Sequence, residues 1–139
     1  MFGVAVLAAN LVAGAWGGVA WLRREPSVIF WYLLRVAQVV VVVQVLLGLV
    51  LLAGGDRAPD SLHVLYGVAP LVVALVSEAM RVGAAQTELA AAGDVEALER
   101  REKALLARRV VLREMRIMSV GALLIVTLAL RAGGTAGLF

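Results

Sequence analysis

The only histidine of the chain is the residue best suited to bind a metal. His63 is followed by Tyr66, Gly67 and Pro70 at spacings of three, four and seven residues, which place all four on about one face of a helix. A neutral imidazole can ligate heme iron, and a glycine beside it lets a porphyrin approach the backbone. The pattern permits a heme site, and it also permits an imidazole that only hydrogen-bonds Asp60, Tyr66 or water.

A second group of polar residues interrupts the apolar segments. Arg35 lies about 12 Å along an apolar segment, a depth at which a guanidinium needs an anion or water. Gln38 is three residues further and shares its face of a helix. We predict that Arg35 and Gln38 form a buried polar site with Glu78 from the following segment. The alternative is a role in binding a quinone or lipid, or in conducting protons.

Several classes of chemistry are excluded by what the sequence lacks. The chain contains no cysteine, which rules out disulfides, thiolate nucleophiles and cysteine-bound metal clusters. There is no glycine-rich phosphate loop, no HExxH motif and no pair of carboxylates in a plausible pocket, so a self-contained hydrolase is disfavoured. Nucleic-acid binding lacks a recognition fold or an aromatic platform. These absences favour a protein that is not an enzyme by itself.

Long apolar segments must position these residues. The 139 residues are 63% hydrophobic and 17% charged, and the mean hydropathy of +0.96 is too high for a water-soluble domain. A membrane-spanning helix needs roughly 20 apolar residues. We therefore predict an all-α integral membrane four-helix bundle, forming a single domain over residues 1–139, with spans at about 2–22, 28–53, 62–82 and 117–130.

The distribution of basic residues predicts the orientation of the bundle. Ten of the 13 Lys and Arg residues lie at 23–24 and between 81 and 116, whereas the opposite side carries only Arg57 and Arg131. Because positively charged loops stay in the cytoplasm, we expect both termini outside (N-out/C-out). Residues 83–116 should then form a cytoplasmic helical hairpin that breaks at Gly93, with Asp94 capping a helix directly after it.

Small residues in the first span predict close helix packing. Gly14 and Gly18 form a GxxxG pair, a spacing that lets two membrane helices approach closely. We expect this face to pack inside the bundle rather than to form a dimer.

One stretch resembles a known family. Gln44-Val-Leu-Leu-Gly48, a turn, and then Leu62-His63 followed by small and apolar residues resemble a helix hairpin of the heme A synthase family, over residues 44–67. That family is built from four-helix membrane halves in which histidines ligate heme. The resemblance implies that His63 is an axial heme ligand, with Gln44, Tyr66 and Gly67 around it. The sixth ligand would come from a second copy, from a methionine or from a histidine of another subunit.

These observations lead to three functional hypotheses. The first is a small accessory or assembly subunit of a larger membrane complex, in contact with lipid and with other membrane subunits or a second copy of itself. The second is a heme- or quinone-associated electron-transfer protein that uses His63. The third is a transporter-like or proton-conducting module. All three place the protein in a membrane, and we expect the inner or plasma membrane of a prokaryote.

Overall fold

The computed structural model describes residues 2–57 and 61–135, which form four α-helices and no strand. The helices are α1 (Phe2–Leu22), α2 (Val28–Ala53), α3 (Ser61–Ala92) and α4 (Arg100–Thr135), with a short 3₁₀ turn at Val95–Ala97. Each α-helix is long and apolar enough to cross a membrane. The prediction of an all-α fold with four membrane-type helices is therefore confirmed.

The ends of α2 follow from local chemistry. Ser27 caps the start, because its hydroxyl accepts a hydrogen bond of 3.2 Å from the backbone N–H of Phe30. Gly54 caps the other end, and Gly55 follows with a φ of +94°, a conformation that favours glycine. Asp60, which we considered as a hydrogen-bond partner of His63, lies outside the described residues.

The third and fourth helices continue well beyond the predicted spans. The span predicted at 62–82 and the first arm of the hairpin are one helix, which ends as expected at Gly93 with a φ of +72°. Asp94 caps only the 3₁₀ turn, so the prediction of a helix directly after it is wrong. α4 begins at Arg100 instead. There the backbone N–H of Glu99 donates a hydrogen bond of 3.0 Å to the Glu102 carboxylate, which gives this N–H a partner at the start of the helix.

The four helices form a row with an open seam. α4 packs along α1 and α3, α2 packs along α1, and α2 makes far less contact with α3. The order of the helices is therefore α2–α1–α4–α3. We call the contact between α2 and α3 the seam. It is the smallest contact between neighbouring helices, so it closes the bundle only in part. We call the end with residues 23–27 and 93–99 the hairpin end, and the end with residues 2–5, 54–57 and 131–135 the termini end.

Packing is closest in the half of the bundle toward the hairpin end. A Cβ at Gly17 would collide with the Ser119 hydroxyl and the Phe30 ring, so only glycine fits there. Gly14 is also close to a neighbour, because its Cβ would lie 2.9 Å from Leu123. Gly18 faces open space among the described residues. The predicted close approach is therefore present within the bundle, but Gly14 and Gly17 make it, not the pair Gly14 and Gly18.

Two apolar clusters fill the interior of the bundle. The cluster toward the hairpin end contains Ala20, Phe30, Leu34, Met115 and Met118. The cluster toward the termini end contains Val6, Val41, Ile125 and Ala129, which have smaller side chains on average. Both halves of the bundle therefore have an apolar core, and the core toward the termini end consists of smaller aliphatic side chains.

Candidate functional site

A cavity of about 440 Å³ lies at the termini end, and we call it the termini-end cavity. All four helices contribute to its wall, including α2 and α3, which make little contact with each other. Its volume is in the range of small-molecule sites, about 300–1,000 Å³. Most lining residues are apolar, among them Val4, Leu7, Val45, Leu47, Val68 and Ala129.

A few polar side chains also line the cavity. Gln44 comes from α2, His63 and Tyr66 come from the first turns of α3, and Arg57 lies on the turn between these helices. Gly67 lines the same wall. All four residues assigned to the tentative heme site, Gln44, His63, Tyr66 and Gly67, therefore surround one space. Their role in binding stays a prediction.

Three glycines, Gly3, Gly48 and Gly67, enlarge this space. A Cβ added to any of them would have no described atom within 4 Å apart from its own helix. The three residues lie on α1, α2 and α3, and all line the cavity. Larger residues at these positions would occupy volume that a ligand could otherwise fill.

Two hydrogen-bond acceptors at the cavity lack their usual donors. Gln44 Oε1 is buried and has no hydrogen-bond partner in the described part of the chain. Pro70 is a buried residue inside α3 and has no N–H, so the carbonyl of Tyr66 cannot receive the usual bond from four residues ahead. Tyr66, Pro70 and Gln44 all line the cavity.

The fit to heme, which the resemblance implies, is incomplete. His63 can supply one imidazole, and the open space at Gly48 and Gly67 suits a flat ring. The described lining contains no second histidine, methionine or cysteine. Within residues 2–57 and 61–135, no cluster of three His, Cys, Asp or Glu side chains could hold a metal ion. Among the described lining residues, His63 is therefore the one candidate ligand for a heme iron.

A separate cluster of charges lies toward the hairpin end, and we call Arg35, Gln38, Glu78, Arg81 and Glu114 the polar cluster. Arg35 Nη1 donates to Gln38 Oε1 at 2.7 Å and to Glu78 Oε1 at 2.9 Å. Gln38 Nε2 donates to the same carboxylate oxygen at 2.8 Å. Arg81 donates from Nε to Glu78 Oε2 at 2.8 Å and from Nη1 to Glu114 Oε1 at 3.2 Å. The cluster contains two positive and two negative charges and is neutral.

The structure brings Arg35, Gln38 and Glu78 together, as predicted, but leaves part of the cluster exposed. The side chain of Arg35 is 56% exposed and that of Glu78 is 25% exposed, whereas we expected a buried pair. The position of Arg35 along α2 explains the difference. From Arg35 to Ala53 the helix rises about 27 Å, close to the thickness of a hydrocarbon core, about 30 Å. The guanidinium thus lies near the edge of the apolar length rather than deep inside it.

Sequence reasoning missed two charged members of this cluster and one aromatic contact. Arg81 is three residues after Glu78, a spacing at which helical side chains meet, so it could have been found from the sequence. Glu114 could not, because its contact with Arg81 depends on how α4 is rotated against α3. The Arg81 guanidinium also lies 5.8 Å from the centre of the Trp31 ring, a cation–π distance.

Further ion pairs join α3 and α4 beyond the polar cluster. Glu88 accepts a hydrogen bond of 2.7 Å from Arg113 and lies 3.9 Å from Arg109. The Arg108 guanidinium donates a hydrogen bond of 2.7 Å to the backbone carbonyl of Arg24, which connects α4 to the turn after α1. Many of the basic residues of the predicted hairpin therefore have contacts within the chain.

Comparisons of the chain with known protein families, with curated proteins and with solved structures found no match. The resemblance of residues 44–67 to the heme A synthase hairpin therefore stays a prediction.

Proposed function

We propose that this protein is a membrane-embedded binding protein for a lipophilic ring molecule of the quinone class and serves electron transfer. The observation that carries the proposal is that Gln44, His63 and Tyr66 line one largely apolar cavity. A ring with oxygen substituents matches such a wall, because apolar side chains hold the ring and a few polar groups fix its oxygens. α2 and α3 make little contact with each other, so we expect an apolar tail of the ligand to lie between them.

Heme is the second candidate, supported by the position of His63. It is the only imidazole of the chain and it lines the cavity. When bound, heme would supply one-electron chemistry at its iron. His63 would hold the iron, and the open space at Gly67 would admit the ring.

The contents of the purified protein test the two candidates. We expect protein isolated in a mild detergent to yield about one quinone-class molecule per chain on solvent extraction and to show no Soret band. Gly67→Leu should lose the molecule, because the added side chain fills the cavity. Gly83→Leu is the matched control, since Gly83 also lies on α3 and faces open space outside the cavity. It should retain the molecule.

Other outcomes of the same experiment reject the quinone proposal. A Soret band of one heme per chain that His63→Ala abolishes would favour the porphyrin. A protein with neither molecule that copurifies with other membrane subunits would favour the accessory-subunit hypothesis, which stays a prediction. Equal retention by the Gly67 and Gly83 variants would place the molecule outside the cavity.

The orientation of the bundle is also a proposal. We place the hairpin end in the cytoplasm and both termini outside, in the inner or plasma membrane of a prokaryote. The basic residues support this orientation, because all but Arg57 and Arg131 belong to the part of the bundle nearer the hairpin end.

Labelling of single cysteines tests the orientation, and the natural chain has no cysteine to interfere. We expect an impermeant thiol reagent to label Asp56→Cys in intact cells and to label Ala91→Cys only after permeabilisation. Both positions are exposed in the structure. Labelling of Ala91→Cys in intact cells would overturn the orientation.

A further inference from the structure

The helices differ in length at the hairpin end, which leaves a step on the surface. α1 and α2 meet at the turn at residues 23–27, whereas α4 extends about 22 Å from Met115, a residue of the core, to its start at Arg100. Met115 packs with residues of α1 and α2, and Arg108 lies seven residues before it on the same helical face. Arg108 therefore lies directly above the turn.

A hydrogen bond joins the two sides of this step. Arg108 Nη2 donates a hydrogen bond of 2.7 Å to the backbone carbonyl of Arg24. Glu25 and Pro26 line a shallow groove together with Arg108. Arg23, Arg24 and Arg108 all have exposed side chains. We call these three arginines the arginine ledge.

The arginine ledge carries positive charge that the described part of the chain does not balance. Its ion pairs use Arg35, Arg81, Arg109 and Arg113, and none of them includes an arginine of the ledge. Glu25 is the one carboxylate within the turn, so three guanidinium groups face one carboxylate. The ledge is therefore a place where an anion from outside the chain would be stabilised.

The backbone of Arg24 has a conformation that favours glycine. Its φ is +56°, and it is the one residue other than glycine with a positive φ in residues 2–57 and 61–135. It follows the end of α1, where the Glu25 N–H donates a hydrogen bond of 3.0 Å to the Ala20 carbonyl and where glycine is the usual residue. A side chain in such a conformation costs free energy and is typical of a functional position. The charge of Arg24 supplies what glycine could not.

Exposed aromatic side chains indicate that the ledge lies at the level of lipid headgroups. Trp16, Trp21 and Tyr32 are exposed on α1 and α2 near the turn, and Trp16 Nε1 donates a hydrogen bond of 2.9 Å to Ser27 Oγ. Tryptophan and tyrosine concentrate at the membrane surface, where one side of the ring is apolar and the other polar. Further along α1, exposed apolar side chains such as Val19 suit contact with acyl chains.

From this arrangement we propose that the arginine ledge binds the headgroup of an anionic phospholipid. A guanidinium matches two oxygens of a phosphate group, and the ledge supplies three guanidinium groups. A zwitterionic phospholipid has the same phosphate but adds a positive charge that the arginines repel, so the ledge selects a headgroup with net negative charge. A lipid also covers the exposed apolar face of α1, which an acidic protein segment would leave uncovered. This proposal does not depend on the ligand of the termini-end cavity.

Quenching of tryptophan fluorescence by brominated lipids measures this selection. All three tryptophans, Trp16, Trp21 and Trp31, lie in the half of the bundle toward the hairpin end, so quenching reports the lipids around the ledge. Brominated phosphatidylglycerol or brominated phosphatidylcholine is titrated into phosphatidylcholine vesicles that contain the full chain. We expect half-maximal quenching at a mole fraction at least about fivefold lower for phosphatidylglycerol, the contribution of one arginine near a membrane surface.

Single substitutions locate the preference on the ledge. Arg24→Gly removes a charge and suits the positive φ, so it should fold and reduce the preference by about fivefold. Arg24→Lys keeps the charge and should retain the preference. Arg108→Gln should reduce it as Arg24→Gly does. Arg131→Gln removes an exposed arginine at the termini end and is the matched control, which should leave the preference unchanged.

Three results would overturn the proposal. Equal quenching by the two lipids would show that the ledge does not select an anionic headgroup. A preference that persists in both Arg24→Gly and Arg108→Gln would assign the selection to other residues. Loss of the preference on addition of excess inorganic phosphate, or of a short polyglutamate peptide, would make the ledge a site for a free anion or for an acidic protein segment. We expect neither competitor to remove it, because neither contacts the apolar face of α1.

Discussion

Toward the hairpin end, α3 and α4 are joined by ion pairs, and α1 touches α2 and α4 so closely that a glycine is required. At the termini end, the same helices surround an apolar cavity, and three glycines in its wall face open space. The composition of the helix surfaces accounts for the difference. Close backbone approach and paired charges leave no room, whereas small side chains without a matching partner leave a void. The comparison separates a half of the bundle with close backbone contacts from a half whose core leaves an open space beside it.

The largest effect on the stability of the fold is expected from a substitution at Gly17, in the closely packed half. Gly17→Ala places a methyl group against the Ser119 hydroxyl and the Phe30 ring, and both residues are almost fully buried. We expect a loss of about 3 kcal/mol in the free energy of unfolding, the upper range for overpacking. Gly18→Ala, next in the helix but facing open space, should not destabilise. Titration with a denaturing detergent measures both, and equal stability of the two variants would contradict close packing in this half.

A smaller effect is expected in the polar cluster. Glu78 accepts hydrogen bonds from Arg35, Gln38 and Arg81, so Glu78→Gln should cost about 2 kcal/mol, less than a fully buried pair because the side chain is partly exposed. Removing Glu78 and Arg35 together should cost less than the sum of the single changes, since each leaves the other without its counter-charge. A double-mutant cycle measures this coupling. Additive effects would show that the two residues act independently.

The smallest effect on stability is expected at the termini end, where a substitution should stabilise the protein rather than destabilise it. Gly48→Ala adds a methyl group in open space and removes a flexible residue from α2, so the ligand-stripped protein should gain about 0.5 kcal/mol in the free energy of unfolding. The same denaturation assay applies. A loss of stability as large as that expected for Gly17→Ala would mean that the cavity is closed in the membrane, and the contrast between the two halves would not hold.

The sequence predicted the parts of the fold that depend on hydropathy and local chemistry. The bounds of the first two helices follow from long apolar runs that end at charged residues or glycines, and the break at Gly93 follows from its backbone conformation. The start of α4 was missed because the Asp94 cap is used by a 3₁₀ turn, an outcome that capping propensity cannot distinguish from a helix start.

The candidate site was predictable in its members but not in its shape. His63, Tyr66 and Gly67 share a helical face by spacing alone, and Gln44 was added by the resemblance. The cavity itself depends on how α2 and α3 pack against each other, which a single sequence does not specify. The same limit applies to Glu114 and to the choice of Gly17 over Gly18, because both depend on the rotation of one helix against another.

The length of α3 and α4 links the hairpin end of the molecule to the cavity at the termini end. Each helix runs without a break from the hairpin end to the termini end, about 48 Å for the 32 residues of α3 and about 54 Å for the 36 residues of α4. The ion pairs of Glu88 and Glu114 couple the two rods along their outer part. We therefore expect residues 93–99 and the paired parts of α3 and α4 to move together, and α3 to bend most easily at Pro70 in the cavity wall.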